Sequence, residues 1–314
     1  MSDPDAGMAG TEVRRVLLAV LTGREDIVEL ARTSAARLMA GGIIVRLLAD
    51  EAADLEIDGA EVSPGDEKAA CDAEIVMVFG GDGTFLRAAE LARYTDAALM
   101  GVNLGRVGFL AETEPEAVEE TLTAIEHCAY EVEERLALEV DVLDPDGDVV
   151  GGTWALNEVS VEKAERSRVL DVVLAIDGRP LTSFGCDGVL CATPTGTTAY
   201  AFSAGGPVVW PEVEALLVVP LSAHALFARP MVLSPTSTVV VEMIDASPTH
   251  GVVWCDGRRS VELRTGMEIE VTRGSYRLRL ARLSEAPFTD RLVHKFGLRV
   301  EGWRGASEAV DPIS

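Results

Sequence analysis

The sequence predicts an α/β N-terminal domain with a doubly wound parallel sheet, then a mainly antiparallel β domain, with a C-terminal segment that returns to the first domain. Three observations carry this. Up to about residue 130, apolar runs rich in β-branched residues alternate with helical periodicity; beyond it the hydrophobic period changes to two; from Phe288 to Gly297 a helical pattern resumes. The expected division is 1–130 with 286–314 packing back on it, and 131–285 as a β-rich unit. With 314 residues, each part is long enough to bury its own core.

Residues 14–23 read as a buried strand, and 25–40 as an amphipathic helix with Ile27, Leu30, Ala31 and Leu38 on its apolar face. Gly41 and Gly42 end the helix, and Ile43 to Leu48 is the next strand, completing a β-α-β unit. An acidic, turn-rich stretch from Asp50 to Asp72 follows. Ile75 to Phe79 is a strand that stops at Gly80 and Gly81, with a helical pattern from Thr84. Residues 97–103 form one more buried strand, ending in a second glycine loop from Gly105 to Phe109. Thr113 and Glu116 make a capping box for a helix reaching about Cys128. Ligands of a doubly wound sheet gather beyond the carboxyl ends of its strands, where both glycine loops lie.

In the second half, Glu139–Asp144, Ala155–Glu162 and Val169–Asp177 alternate with period two. Turn signals at Pro145-Asp146-Gly147, Asp177-Gly178, Asp256-Gly257 and Arg273-Gly274 punctuate them, as in a sandwich or layered sheet.

Composition excludes several classes. There are 52 acidic against 27 basic residues, a formal net charge of -25, and the lysines are only Lys68, Lys163 and Lys295. A basic nucleic-acid-binding face is therefore disfavoured. Self-repulsion of this size is screened within about 3 Å at 1 M salt, which predicts a protein of a high-salt cytoplasm. No run approaches membrane-spanning length, and Met1 to Gly10 lacks a basic and an apolar signal region, so a soluble cytoplasmic protein without membrane partners is expected. The five cysteines form no C-x-x-C pair and read as reduced, small buried residues. The four histidines never fall at i, i+4, so no zinc motif is visible.

Three stretches carry chemistry. Gly80-Gly81-Asp82-Gly83-Thr84 ends a strand and opens a helix, so free N–H groups and the positive end of a helix dipole suit a phosphate. The Asp82 carboxylate is out of place there unless it holds a metal ion or orients a hydroxyl. The turn has neither the Walker A ending nor the dinucleotide glycine order. Arg87, one helical turn on, is either within reach of a phosphate oxygen or a solvated helix arginine. Asn157-Glu158 lies on an otherwise alternating strand, Trp154 to Val161; it fits two ribose hydroxyls, or is exposed strand edge. From Cys186 to Pro207 an apolar strand runs into four threonines, Thr193, Thr195, Thr197 and Thr198, then a short helix of small residues ended by Gly205 and Gly206. Small side chains let a flat ligand lie against backbone, and Tyr200 can stack or hydrogen-bond.

Together, in this order and spacing, the three stretches resemble the NAD kinase family, over nearly the whole chain. The first motif is shared with lipid kinases of the diacylglycerol and sphingosine type; the threonine stretch discriminates. The resemblance implies transfer of a terminal phosphoryl group from ATP or polyphosphate to the 2′-hydroxyl of the adenosine ribose of NAD, giving NADP. It implies that Asp82 contacts that hydroxyl as general base, with Gly83 beside it. Asn157 and Glu158 would hold NAD, Asp187 would add a contact, and Thr198, Ala199, Tyr200 and Ser203 would line the nucleoside. Phe109 would lie near the ligand, and Arg168 falls where many members carry a basic or histidine contact. Gly80, Gly81, Thr84 and Arg87 are the candidates for the phosphate donor, with Mg²⁺ or another divalent cation whose ligands are unassigned. A homo-oligomer is implied because family members are commonly oligomeric. The chain departs from the family pattern at Gly185, where a basic residue is frequent, at Arg258, where glutamine is common, and at Ala223, where proline is usual. The rival readings are a lipid kinase on the same first domain and a non-catalytic NAD-sensing module.

Overall fold

Runs such as Ile75 to Phe79, apolar at every position, need cover on both faces, and the fold provides it. The computed structural model describes residues 13–103, 108–111, 117–244, 249–283 and 287–300.

The first half runs β1 (Arg15–Val20), α1 (Glu25–Ala40), β2 (Ile44–Leu48), α2 (Ala52–Leu55), β3 (Glu61–Ser63), β4 (Ile75–Phe79), α3 (Asp82–Ala92), β5 (Ala98–Val102) and α4 (Val118–His127). Its strands lie parallel in the order β5-β4-β1-β2-β3. Alternate residues of β1 and β4 face opposite layers. Leu17, Ala19, Val76 and Val78 pack with Phe85, Ala88 and Ala89 of α3. Val16, Leu18, Ile75 and Met77 pack with Ile27, Ala31 and Leu38 of α1 and Leu122 and Ile125 of α4. Helices thus cover both faces, as the doubly wound expectation requires.

The second half runs β6 (Glu131–Leu143), β7 (Val149–Ala155), β8 (Glu158–Lys163), β9 (Leu170–Ile176), β10 (Arg179–Cys186), β11 (Gly188–Ala192), a 3-10 turn (Thr195–Thr198), α5 (Tyr200–Ser203), β12 (Leu216–Leu221), β13 (Met231–Leu233), β14 (Val239–Met243), β15 (Gly251–Cys255), β16 (Arg259–Leu263), β17 (Glu268–Arg282) and α6 (Phe288–Phe296). The long β17 joins the halves: Leu280 pairs in parallel with Leu99 of β5, while β6 and β14 pair with β17 antiparallel. Among the described residues an eleven-stranded mixed sheet results. Facing it is a six-stranded antiparallel sheet, β13-β12-β11-β8-β15-β16, and between them lies a core that includes Val140, Val161, Val172, Val189 and Val253.

Several expectations are corrected. The acidic stretch after Asp50 holds α2 and the short edge strand β3, whose three residues carry too little pattern to register. Helix α3 starts at Asp82 rather than Thr84. The strand expected from Trp154 to Val161 breaks at Leu156 and Asn157, where the chain leaves one sheet for the other. Cys71 and Cys128 are exposed, whereas Cys186, Cys191 and Cys255 are buried, with thiols pushed up to about 12 by burial. The Thr113–Glu116 capping box and residues 105–107 of the second glycine loop lie outside the described residues.

Candidate functional site

β4 ends at Phe79, and Gly81, in extended conformation, caps α3 so that Asp82 is its first residue. The helix forms because Phe85, Leu86, Ala88, Ala89 and Ala92 make one apolar face over the sheet. The Thr84 N–H folds back on the Gly81 carbonyl (3.0 Å) and the Gly80 N–H on that of Val102 (3.1 Å). Asp82 and Gly83, the first two helical positions, have no carbonyl one turn earlier within the helix to bond, and the Cα atoms of Gly81 and Gly83 border open space. The Asp82 carboxylate accepts the N–H groups of Phe109 (3.2 Å) and Leu110 (3.1 Å), with that of Ala111 at 3.5 Å. The two glycine loops therefore meet. A side chain on Gly108 would collide with that carboxylate, so glycine is required by the closeness of approach. Phe109 is buried against Phe288 and Phe296 of α6, and Phe296 also stacks on Phe202 at 4.4 Å between centroids.

Arg87 does not point to this turn. Its guanidinium donates to the Val20 carbonyl (3.1 Å) and pairs with the buried Glu51, whose carboxylate accepts the Val20 N–H. The phosphate-contact reading of Arg87 is corrected accordingly: a buried carboxylate nearby outcompetes a distant anion.

Asn157 and Glu158 are 7% and 8% exposed, so the exposed-edge reading fails. Asp256, 7% exposed, builds their corner. Its carboxylate accepts the N–H groups of Leu156 (2.9 Å), Asn157 (2.7 Å) and Glu158 (3.3 Å), and its own N–H donates to the Glu158 carbonyl (2.9 Å). Arg259 donates to Asp256 (2.8 Å) while lying 4.5 Å above the Trp154 ring. Burial, reinforced by the charge of Asp256, pushes the Glu158 carboxyl up to about 8; the Tyr200 backbone N–H works the other way. Burial also raises Asp256, opposed by its N–H donors and Arg259.

The threonine stretch divides its labour. Thr193 donates to the Leu156 carbonyl (2.6 Å) and Thr197 to that of Pro194 (2.7 Å), so these hydroxyls are spent inside the fold. Thr198 and Ala199 are half-buried, and Tyr200 and Ser203 are exposed. A cleft of about 520 Å³ is lined by Leu86, Asn157, Glu158, Ser160, Glu162, Tyr200, Trp254, Asp256 and Gly257. It gathers α3, the Asn157 corner, α5 and the β15–β16 turn. Across that boundary Glu90 of α3 takes Arg258 (3.0 Å) and Arg259 (3.2 Å), which gives the departure at Arg258 a structural partner.

Asp187 and Arg168 do not line this cleft. Asp187 pairs with Lys163, which holds its carboxyl below the usual range, and Arg168 is exposed beside Glu165. At Gly185 a side chain would meet Val169 at 2.8 Å, so the chain has closed the space that a basic residue would need. Asp256, Trp254, Leu86 and Glu90 were missed from sequence. One signal was there to be read: Cys-Asp-Gly occurs at 186–188 and again at 255–257.

Among the described residues no three carboxylate, imidazole or thiolate groups gather to hold a metal ion. The described side chains therefore offer no cage for a divalent cation. No helix among the described residues is long and apolar enough to cross a membrane.

The sequence profile of the ATP-NAD kinase N-terminal domain matches residues 28–130, and that of the ATP-NAD kinase C-terminal domain residues 156–283. NAD kinase 2 of Streptomyces avermitilis is 54% identical over 301 residues, 95% of this chain and 99% of that one. The NAD kinase of Thermobifida fusca is 51% identical over 319 residues, 99% and 98% of the two chains. The crystal structure of yeast NADH kinase complexed with NADH superposes with a TM-score of 0.84 at 22% identity, covering 98% of this chain and 95% of that one; the likeness is one of fold. An NAD kinase from Archaeoglobus fulgidus in complex with ATP gives 0.67 at 26% identity, covering 91% and 98%. These curated relatives are actinobacterial and lend no support to a high-salt origin. With both halves matched and half of all positions shared across nearly the full length, the chain belongs to the NAD kinase family.

Proposed function

We propose that this chain is a phosphotransferase that moves the terminal phosphoryl group of ATP or polyphosphate to the 2′-hydroxyl of the adenosine ribose of NAD, forming NADP. One observation carries the reading: a single cleft gathers Asn157, Glu158 and Tyr200 beside Leu86, one helical turn from Asp82. The hydroxyl oxygen forms the new bond to phosphorus as the bond to the donor's leaving oxygen breaks. The hydroxyl proton passes to Asp82. Because the transition state of phosphoryl transfer is loose, positioning dominates, and Asp82 acts first by aiming the hydroxyl. Gly80, Gly81, Gly83 and Thr84 supply the turn where donor phosphates sit, at the positive end of α3. A divalent cation carried in on the donor phosphates would offset their charge. Thr198, Ala199 and Ser203 border the nucleoside with Phe109, while Asp187 and Arg168 stand further out.

Domain boundaries at 1–130 with 286–314, and at 131–285, are part of this reading, as are a cytoplasmic setting and a homo-oligomer. A coupled NADP assay with ATP and with polyphosphate, each with Mg²⁺, tests it. NAD binding without NADP formation from either donor overturns it. Melting in millimolar and molar KCl tests the salt requirement that the charge of -25 suggests: an unchanged Tm removes it.

A further inference from the structure

Two buried carboxyl groups, Glu158 and Asp256, line the same cleft, their backbones joined by the bond from the Asp256 N–H to the Glu158 carbonyl (2.9 Å), and the charge of Asp256 is felt at Glu158. They are not equivalent. Asp256 accepts three backbone N–H groups and an Arg259 N–H, the surroundings of a carboxylate that keeps its charge. Glu158 has a much thinner shell: the Tyr200 backbone N–H is its one donor to the charged form, and its Oε2 is buried with no hydrogen-bond partner among the described residues. The other titratable groups nearby do not favour a second charge. Glu162 lines the same cleft, Tyr200 borders it, Cys255 precedes Asp256 with a thiol that burial keeps neutral, and Arg259 is committed to Asp256 and Glu90.

We propose that the pair carries one negative charge, on Asp256, and that Glu158 is a neutral acid whose Oε2 hydroxyl donates a hydrogen bond to an acceptor oxygen or ring nitrogen of the NAD nucleoside. The inference rests on the NAD kinase reading and adds the protonation state to it. Two adjacent buried carboxyls rarely ionise together, because each charge raises the cost of the other in a low dielectric. A neutral Glu158 also spares the dianionic pyrophosphate of NAD a further repulsion. The upward displacement of Glu158 to about 8 agrees with this at neutral pH.

The test has three arms. In the wild-type enzyme KM for NAD should be flat from pH 6.5 to 7.5 and rise as pH passes 8, approaching about tenfold per pH unit. Glu158→Ala should raise KM at least about tenfold, and Glu158→Gln, which keeps an N–H donor there, no more than about threefold and without the alkaline rise. Infrared difference spectra of wild type minus Glu158→Gln at pH 7 should show the carbonyl stretch of a protonated carboxylic acid; this arm needs no activity. Absence of that band, or a flat alkaline profile with Gln as damaging as Ala, overturns the inference. If the wild type neither binds NAD in calorimetry nor forms NADP, the NAD reading fails separately, and the infrared arm still decides the proton.

Discussion

The carboxylate of Asp82 lies 3.1 Å from the backbone nitrogen of Leu110, tying the turn that opens α3 to a segment 28 residues later. A group proposed to aim a hydroxyl is thus itself aimed. Asp82→Ala should lower kcat about 10²- to 10⁴-fold and speed amide exchange at Phe109 to Ala111. Gly108→Ala, which crowds the same carboxylate, should lower kcat while leaving the urea midpoint nearly in place. An Asp82→Ala enzyme with most of its kcat would remove Asp82 from the chemistry.

Arg87 offers a contrasting case. Removing it leaves Glu51 buried without its cation, so Arg87→Ala should cost about 3–5 kcal/mol in urea unfolding. KM for the phosphate donor should not follow. A large rise in that KM, with stability intact, would return Arg87 to the donor site.

Asp256 never came forward as a site residue, yet it holds three successive N–H groups of the Leu156–Glu158 corner. Asp256→Asn places an NH₂ against donors and leaves at least one of them unsatisfied, at about 1–3 kcal/mol per group. Stability should fall and KM for NAD should rise together, because one carboxylate fixes both fold and corner. Equilibrium unfolding with steady-state kinetics on the same preparation checks this.

The raised carboxyl of Glu158 sets a sign for stability. Unfolded, the group titrates near about 4.3; folded, near about 8. Between those values the folded chain holds a proton that the unfolded chain has released. The contribution is fully present below the lower value and is lost as pH rises toward the upper one. Urea midpoints at pH 5, 6.5 and 8 should fall for the wild type, and fall less for Glu158→Gln. Parallel profiles would count against a buried proton on Glu158.

The parallel half was legible because its signals are local. β4 and β5 are unbroken apolar runs and α1 has one apolar stripe, so these elements appeared with boundaries within a residue or two. The edge strand β3 was lost because three half-covered residues carry no period. The break at Leu156 and Asn157 was lost for another reason: strand alternation continues through it, and the force that bends the chain comes from Asp256, about a hundred positions away.

By itself the sequence determined the alternation of the main strands and helices in the first half, the change to period two in the second, the glycine turn with Asp82 at its centre, the Asn157-Glu158 pair, the threonine stretch and the family those motifs resemble. Composition, periodicity and spacing are properties of the chain that need no partner. Tertiary structure decided which of those residues are free to meet a ligand. Whether Arg87 turns to a phosphate or to Glu51, whether Thr193 and Thr197 face a ligand or cap a turn, and whether Glu158 stays charged depend on groups far away in sequence. Burial fixes these outcomes, because a polar group removed from water must find its partner in the fold that removed it.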